Sequence, residues 1–179
     1  MIHVFDNFLD EPLRYRDDAL KLEYQTHTFP EATFHGIALG GRTGEVPAKL
    51  SGIFRDTRPT LTFLRKSPIG QVEPHFIHSD IDMGKWSAVL YLTPETASGD
   101  GTSFWTFKQT GEIQSMIPHH LSKEGTDPSL WNLRLWVPAL FNRLVVFPSS
   151  WFHSRSIFDN YGEGKDARLT QVTFGEFRA

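Results

Sequence analysis

The sequence predicts a mainly β domain with flanking helices: a sheet sandwich or barrel, with the helices packed outside it. Three observations predict it. Helical spacing is confined to the N-terminal third, segments rich in β-branched and aromatic residues recur from Thr60 onward, and Gly, Pro, Asn and Asp separate many of those segments. The chain has 179 residues, 39% of them hydrophobic and 13% aromatic, enough to bury one sizeable core but hardly two. A single domain over residues 1–179 is therefore expected.

Each element has its own reason. Ile2, Val4, Phe5, Phe8 and Leu9 predict a short strand leading into a helix, which Asp10 can cap and Pro12 can open, running to about Tyr24. Val46, Leu50, Ile53 and Phe54 recur at helical spacing and predict a second helix that stops before Pro59. Strands are then expected at Thr60–Leu64, Val72–Ile77, Trp86–Thr93, Thr102–Phe107, Arg143–Phe147 and Arg168–Phe177. Gly111–Leu140, broken by Pro118, Pro128 and Pro138, is predicted as a long lid or binding loop with a short helix over about Pro128–Trp136.

Composition excludes several functions. Eighteen basic and 21 acidic side chains give a formal charge of −3 without long blocks of one sign, which argues against a nucleic-acid partner. No run of about 18 apolar residues could span a bilayer, and the first residues lack the pattern of a secretory signal, so a cytoplasmic protein is expected. There is no cysteine, so disulfides, thiolate metal sites and a cysteine nucleophile are excluded. Any metal must sit on nitrogen and oxygen.

The chemistry begins at His78-Ser79-Asp80. On an extended strand, residues two apart share a face, so this imidazole and carboxylate can reach one ion from one side. His153, beyond the apolar strand that ends at Phe147, is the leading third ligand. Two histidines and a carboxylate with open positions suit iron(II), although zinc hydrolysis can use the same set. Arg168 opens an apolar, alternating strand, where an inward guanidinium is costly without an anion, so a ligand carboxylate is its expected partner. Thr170 shares the face of Arg168 and can donate to the same anion. The arrangement describes a pocket for a small dicarboxylate chelated to the metal at one end.

Residues Leu61 to the C-terminus resemble the iron(II)/2-oxoglutarate dioxygenases, in their prolyl-4-hydroxylase-like branch, with a weaker echo in the N-terminal strand and helix. The resemblance rests on an ordered set: His78-Ser79-Asp80, Val89-Leu90-Tyr91-Leu92-Thr93, Gly99-Asp100-Gly101-Thr102, Asn142 to Pro148, His153 and Arg168-Leu169-Thr170. It implies a double-stranded β-helix, a jelly roll of cupin-like shape. It also implies a facial triad of His78, Asp80 and His153, and 2-oxoglutarate chelating iron(II), with Arg168 on its far carboxylate and Tyr91 and Thr170 assisting. The implied reaction consumes O2, releases succinate and CO2, and oxidises a C–H bond of a small-molecule, amino-acid or peptide substrate. Asp80 supplies a carboxylate where halogenating relatives have a small residue, so hydroxylation is favoured over halogenation.

Competing assignments remain. Arg168 stands 15 residues after His153, further than in many relatives, which leaves Arg155 and Lys165, both in predicted loop, as rivals for the anion. Asp82 is the alternative carboxylate, and His75 lies in the wrong register to pair with His78. His3, His27 and His35 read as ordinary solvated or hydrogen-bonded side chains, and His119-His120 as a surface pair or substrate contact. Of the tryptophans, Trp131 and Trp136 are candidates for a substrate surface. Beside the oxygenase stand a cupin-like metal-dependent enzyme that does not use 2-oxoglutarate and a binding module without turnover.

Overall fold

A computed structural model describes residues 1–29, 32–73 and 76–177. Ten strands and two α-helices are present among them: β1 (His3–Phe5), α1 (Pro12–Leu20), β2 (Gln25–Thr28), β3 (Thr33–Ala38), α2 (Glu45–Ile53), β4 (Thr57–Ser67), β5 (Trp86–Tyr91), β6 (Gly101–Phe107), β7 (Trp131–Pro138), β8 (Leu144–Pro148), β9 (His153–Arg155) and β10 (Arg168–Phe177). Seven strands form one antiparallel sheet in the order β1-β8-β5-β10-β4-β3-β2, and three form a second in the order β7-β6-β9. This is the β-sandwich of a jelly roll.

Alternation along the strands explains how the large sheet is buried on both faces. On β5, Ala88 and Leu90 join Leu64, Leu144, Val146 and Leu169 under Tyr15, Ala19, Val46 and Leu50 of the two helices. Gln171 on that face receives the Tyr15 hydroxyl and donates to the Thr43 carbonyl at 2.8 Å, which ties the helical layer to β10. The opposite face sends Tyr91, Val145 and Phe147 into a second cluster with Phe104 and Val137 of the small sheet. Each fully buried large apolar side chain contributes roughly 1.5–3 kcal/mol, so both clusters are needed to hold the sheets together.

Several expectations need correction. The first helix ends at Leu20, short of Tyr24, and its N-cap is Glu11, with Asp10 instead bonded to Lys49 at 2.9 Å. Val72–Ile77 forms no strand among its described residues. Pro74 cannot donate to a ladder, and the Glu73 side chain is taken by Arg65, Gln71 and Asn160. The 111–140 stretch is not a structureless lid: after a single 3-10 turn at Pro128–Leu130, the predicted helix is the strand β7. Trp131, Leu133, Leu135 and Val137 alternate, and antiparallel pairing with β6 satisfies a period of two rather than 3.6. The β2–β3 hairpin and the three-residue β9 were not expected from the sequence. No helix among the described residues is long and apolar enough to cross a membrane.

Candidate metal centre

His78 and His153 face each other as an isolated antiparallel bridge, exchanging backbone bonds of 3.0 and 2.8 Å. Opposed residues of such a pair direct their side chains to one side, and the two imidazole centroids lie 4.5 Å apart. Asp80 is brought to the same point by its backbone N–H, which donates to the Ser149 carbonyl at 2.8 Å. The segment before His78 is pinned from outside. Ile77 N–H donates to the Gly125 carbonyl at 3.0 Å, and a Cβ at Gly125 would stand 2.0 Å from the Ile77 carbonyl oxygen, so only glycine permits that approach.

One ligand atom from each of His78, Asp80 and His153 lies within 4.8 Å of the others, and this is the one such group of three among the described residues. Asp80 Oδ1 is 3.5 Å from His78 Nε2 and Oδ2 is 3.1 Å from His153 Nε2. Adjacent ligands at about 2.1 Å from one ion stand roughly 3 Å apart, so the set needs little movement to close on a metal. Both Nδ1 atoms face backbone carbonyls, His78 that of Phe76 at 2.9 Å and His153 that of Trp151 at 2.8 Å. This fixes the rings, with the Nε2 of each on the side of Asp80. Ser87 donates to Asp80 Oδ2 at 3.3 Å and meets Ser149 at 2.8 Å, which holds the carboxylate from behind.

Burial pushes the Asp80 carboxyl up, but His153, His78 and the Ser87 hydroxyl outweigh it, and Asp80 lies below its ordinary value. Burial likewise pushes His153 down, and attraction to Asp80 with the Trp151 carbonyl lifts it above its ordinary value.

The residues expected to hold an anion lie further along the interior. Arg168 is buried at the start of β10, and Thr170, two residues on, is directly opposite Tyr91 on β5. The Tyr91 hydroxyl meets Thr102 of β6 at 2.5 Å, and burial raises its pKa, so the phenol stays protonated. Arg168 already has a protein carboxylate as partner, where the sequence predicts a ligand carboxylate. Its Nε and Nη2 donate to Asp100 at 2.9 and 3.2 Å, and Tyr161 donates to the same carboxylate at 2.9 Å. Asp100 occupies the side edge of the guanidinium. Nη1 at the far end makes no hydrogen bond among the described residues, and the side chain keeps 10% exposure.

Lys165 is exposed in a 3-10 turn, whereas Arg155 is not in a loop at all. It ends β9, two residues after His153 and on the same face, opposite Thr102. With Arg65 and Glu73 it forms a second charged group: Arg65 is bonded to Glu73, and Arg155 Nη1 is 3.6 Å from the same carboxylate. Burial, and then the neighbouring arginines, lower both Arg65 and Arg155 to about 10.

Other candidates fall away. Asp82 is exposed in the turn after Asp80, His119 is exposed, and His120 pairs with Glu112 at 3.3 Å. His3 packs against Phe54, and His35 bonds Thr26 at 3.0 Å. His27 is half-buried on β2 and outside the metal group, and His75 lies outside the described residues. Trp131 is buried, and Trp136 is 44% exposed on the outer strand β7. The sequence reading missed Asp100, Glu73 and Arg65; the acid in Gly99-Asp100-Gly101-Thr102 was the available signal for the first.

Two packed antiparallel sheets with paired imidazoles and a carboxylate between them make a double-stranded β-helix with a candidate metal centre. Solved structures agree on the fold. SnoK, a non-haem α-ketoglutarate-dependent carbocyclase from nogalamycin biosynthesis, is similar with a TM-score of 0.64 at 13% identity, over 99% of this chain and 81% of its own. HygX from Streptomyces hygroscopicus, solved with nickel and 2-oxoglutarate bound, gives 0.58 at 13% identity, over 97% and 81%. A Pseudomonas putida prolyl-4-hydroxylase gives 0.54 at 18% identity, over 99% and 93%. No protein-family model and no curated protein matches the sequence.

Proposed function

We propose that the chain is, as a single domain over residues 1–179, a cytoplasmic Fe(II)- and 2-oxoglutarate-dependent dioxygenase that hydroxylates a C–H bond. The observation that carries this reading is the convergence of His78, Asp80 and His153 at an end of the sandwich whose interior also holds Arg168. Bound iron(II), 2-oxoglutarate and O2 would supply the oxidising chemistry, with succinate and CO2 released. The protein's own part is placement. The two histidines present Nε2 because their Nδ1 atoms are engaged, and Asp80 is held by Ser87. Arg168 offers the edge that Asp100 leaves uncovered, and Tyr91 and Thr170 add hydroxyls for the far carboxylate. The buried cluster of Val145, Phe147 and Phe104, whose Phe147 ring lies 4.7 Å from that of His153, would limit water on that side of the site.

The substrate is proposed to be a small molecule, amino acid or peptide. Among the structural neighbours, HygX has been solved with hygromycin B, and SnoN, an epimerase, with nogalamycin RO. A carbocyclase, an epimerase and a prolyl-4-hydroxylase share the fold, so the fold does not choose the reaction, and the intact Asp80 favours hydroxylation over halogenation alone.

One observation favours the cupin-like reading. Because Asp100 neutralises Arg168, the pocket requires no ligand anion to be stable. Anaerobic addition of 2-oxoglutarate to the Fe(II)-loaded protein separates the two. The dioxygenase gives the weak visible charge-transfer band of a chelated keto acid, and a fully iron-loaded protein without that band is the cupin-like enzyme.

A further inference from the structure

Three guanidiniums, Arg65, Arg155 and Arg168, lie close enough to repel one another, and only two of them have a carboxylate of their own. Arg168 is paired with Asp100, and Arg65 is bonded to Glu73. Arg155 lies 3.6 Å from that already engaged Glu73, and Asp159 attracts it more weakly than the two arginines repel it. Its Nε and Nη2 are anchored by the carbonyls of Ile157 at 2.8 Å and Phe158 at 2.7 Å. Those two bonds stiffen the side chain and leave Nη1 without a hydrogen bond among the described residues. Nη1 of Arg168 is in the same condition. Each guanidinium is anchored on one side and leaves one end, Nη1, open to a ligand anion.

Their placement on the two sheets fits one ligand. Arg155 extends from the small sheet on the face of His153, two residues and so roughly 7 Å along the strand from that metal ligand. Arg168 extends from the large sheet and is held at Asp100, two residues along the chain from Thr102 of β6, the residue opposite Arg155. Ser156 N–H donates to the Gly101 carbonyl at 3.0 Å, so the end of β9 is fastened to the same turn that carries Asp100. The Tyr91 hydroxyl, close enough to interact electrostatically with Arg168, is bonded to the hydroxyl of Thr102, the residue opposite Arg155.

We propose that Arg155 and Arg168 act together as a two-arginine clamp on the far carboxylate of 2-oxoglutarate, one guanidinium from each sheet, rather than Arg168 alone. The clamp deepens the dioxygenase reading and rests on it. Arg155 supplies a positive charge whose nearest carboxylate, Glu73, is already bonded to Arg65, and Arg168 supplies a charge-assisted edge aimed by Asp100.

The test compares two keto acids on the Fe(II)-loaded protein by anaerobic titration calorimetry. 2-Oxoglutarate carries the far carboxylate, and 2-oxovalerate has a methyl in its place. Arg155→Gln is expected to weaken 2-oxoglutarate by roughly 10- to 100-fold, the loss of a charge-assisted contact, and to leave the weaker binding of 2-oxovalerate unchanged. Equal loss for both keto acids would mean that Arg155 acts only through the fold or the metal, and no loss for either would mean that Arg168 works alone; each overturns the clamp. Should Arg155→Gln fail to fold, Arg155→Lys keeps the charge without the fork and is expected to lose several-fold for 2-oxoglutarate only. Failure of the underlying reading looks different: the unaltered protein would then bind 2-oxoglutarate no more tightly than 2-oxovalerate.

Discussion

Replacing Asp100 by alanine leaves the Arg168 guanidinium in the interior without the carboxylate that receives its Nε and Nη2. Side-chain exposures of 10% for Arg168 and 1% for Asp100 place the pair well inside the protein. Removing one member of a buried pair costs about 3–5 kcal/mol, because the survivor is desolvated and unpaired. The open Nη1 end of Arg168 lets some water reach the charge, so the lower end, about 3 kcal/mol, is expected. For a chain of this length that is a fall in Tm of roughly 6–12 °C. Urea unfolding measured beside a thermal melt gives the free energy directly. Tyr161→Phe removes only the second hydrogen bond to Asp100 and should cost about 1 kcal/mol. The double change Asp100→Ala with Arg168→Met should recover most of the loss, since no charge is then stranded. If metal-loaded Asp100→Ala still binds 2-oxoglutarate, ligand at 100 times its Kd should return about 2.7 kcal/mol. A loss within about 0.5 kcal/mol for Asp100→Ala would refute this reasoning, because it would place the pair among ordinary surface contacts.

Metal affinity should rise with pH. His153 is raised by Asp80, so its proton contributes stability below the unfolded value near 6.5 that is lost as pH climbs through the folded value; binding a metal displaces that proton, and titrations between about pH 5 and 8 should show affinity increasing toward the alkaline side. Asp80 has the opposite sign: its contribution is present above the unfolded value near 3.8 and disappears as pH falls through the lowered folded value, so acid should release the metal and destabilise the protein together. Gly125→Ala forces the Ile77 carbonyl away from a Cβ that would sit 2.0 Å from it, and should weaken metal binding at least several-fold through the displaced His78, as read by Mn(II) electron paramagnetic resonance. Lys165→Ala should leave the 2-oxoglutarate Kd unchanged, since that side chain is exposed in a turn; a tenfold loss would reinstate it as the anion site.

The candidate metal ligands were partly legible. His78 and Asp80 are two apart, which suggested one face, but His153 is brought to them by a long-range bridge that no local pattern shows. Arg168 was legible as a charge in an apolar strand, but its partner was not. Asp100 is separated from it by 68 residues, and nothing local distinguishes an acid that turns inward from one that faces solvent. Arg155 was read as loop because a three-residue strand is too short to display a period. β7 was taken for a helix because Pro128 opens both a helix and a 3-10 turn, while only pairing with β6 makes Trp131–Pro138 a strand. The β2–β3 hairpin escaped for a related reason: its half-buried strand faces lack a strong alternation, and its place at the sheet edge is set by β4.

Crystals grown without oxygen in the presence of Mn(II) and 2-oxoglutarate test the central claim most directly, through the anomalous signal of the metal. A single peak should lie within about 2.3 Å of His78 Nε2, His153 Nε2 and an Asp80 oxygen, with the keto acid chelating it and its far carboxylate against Arg168. A peak elsewhere, or a chelated ligand whose far end points away from Arg168, would contradict the account.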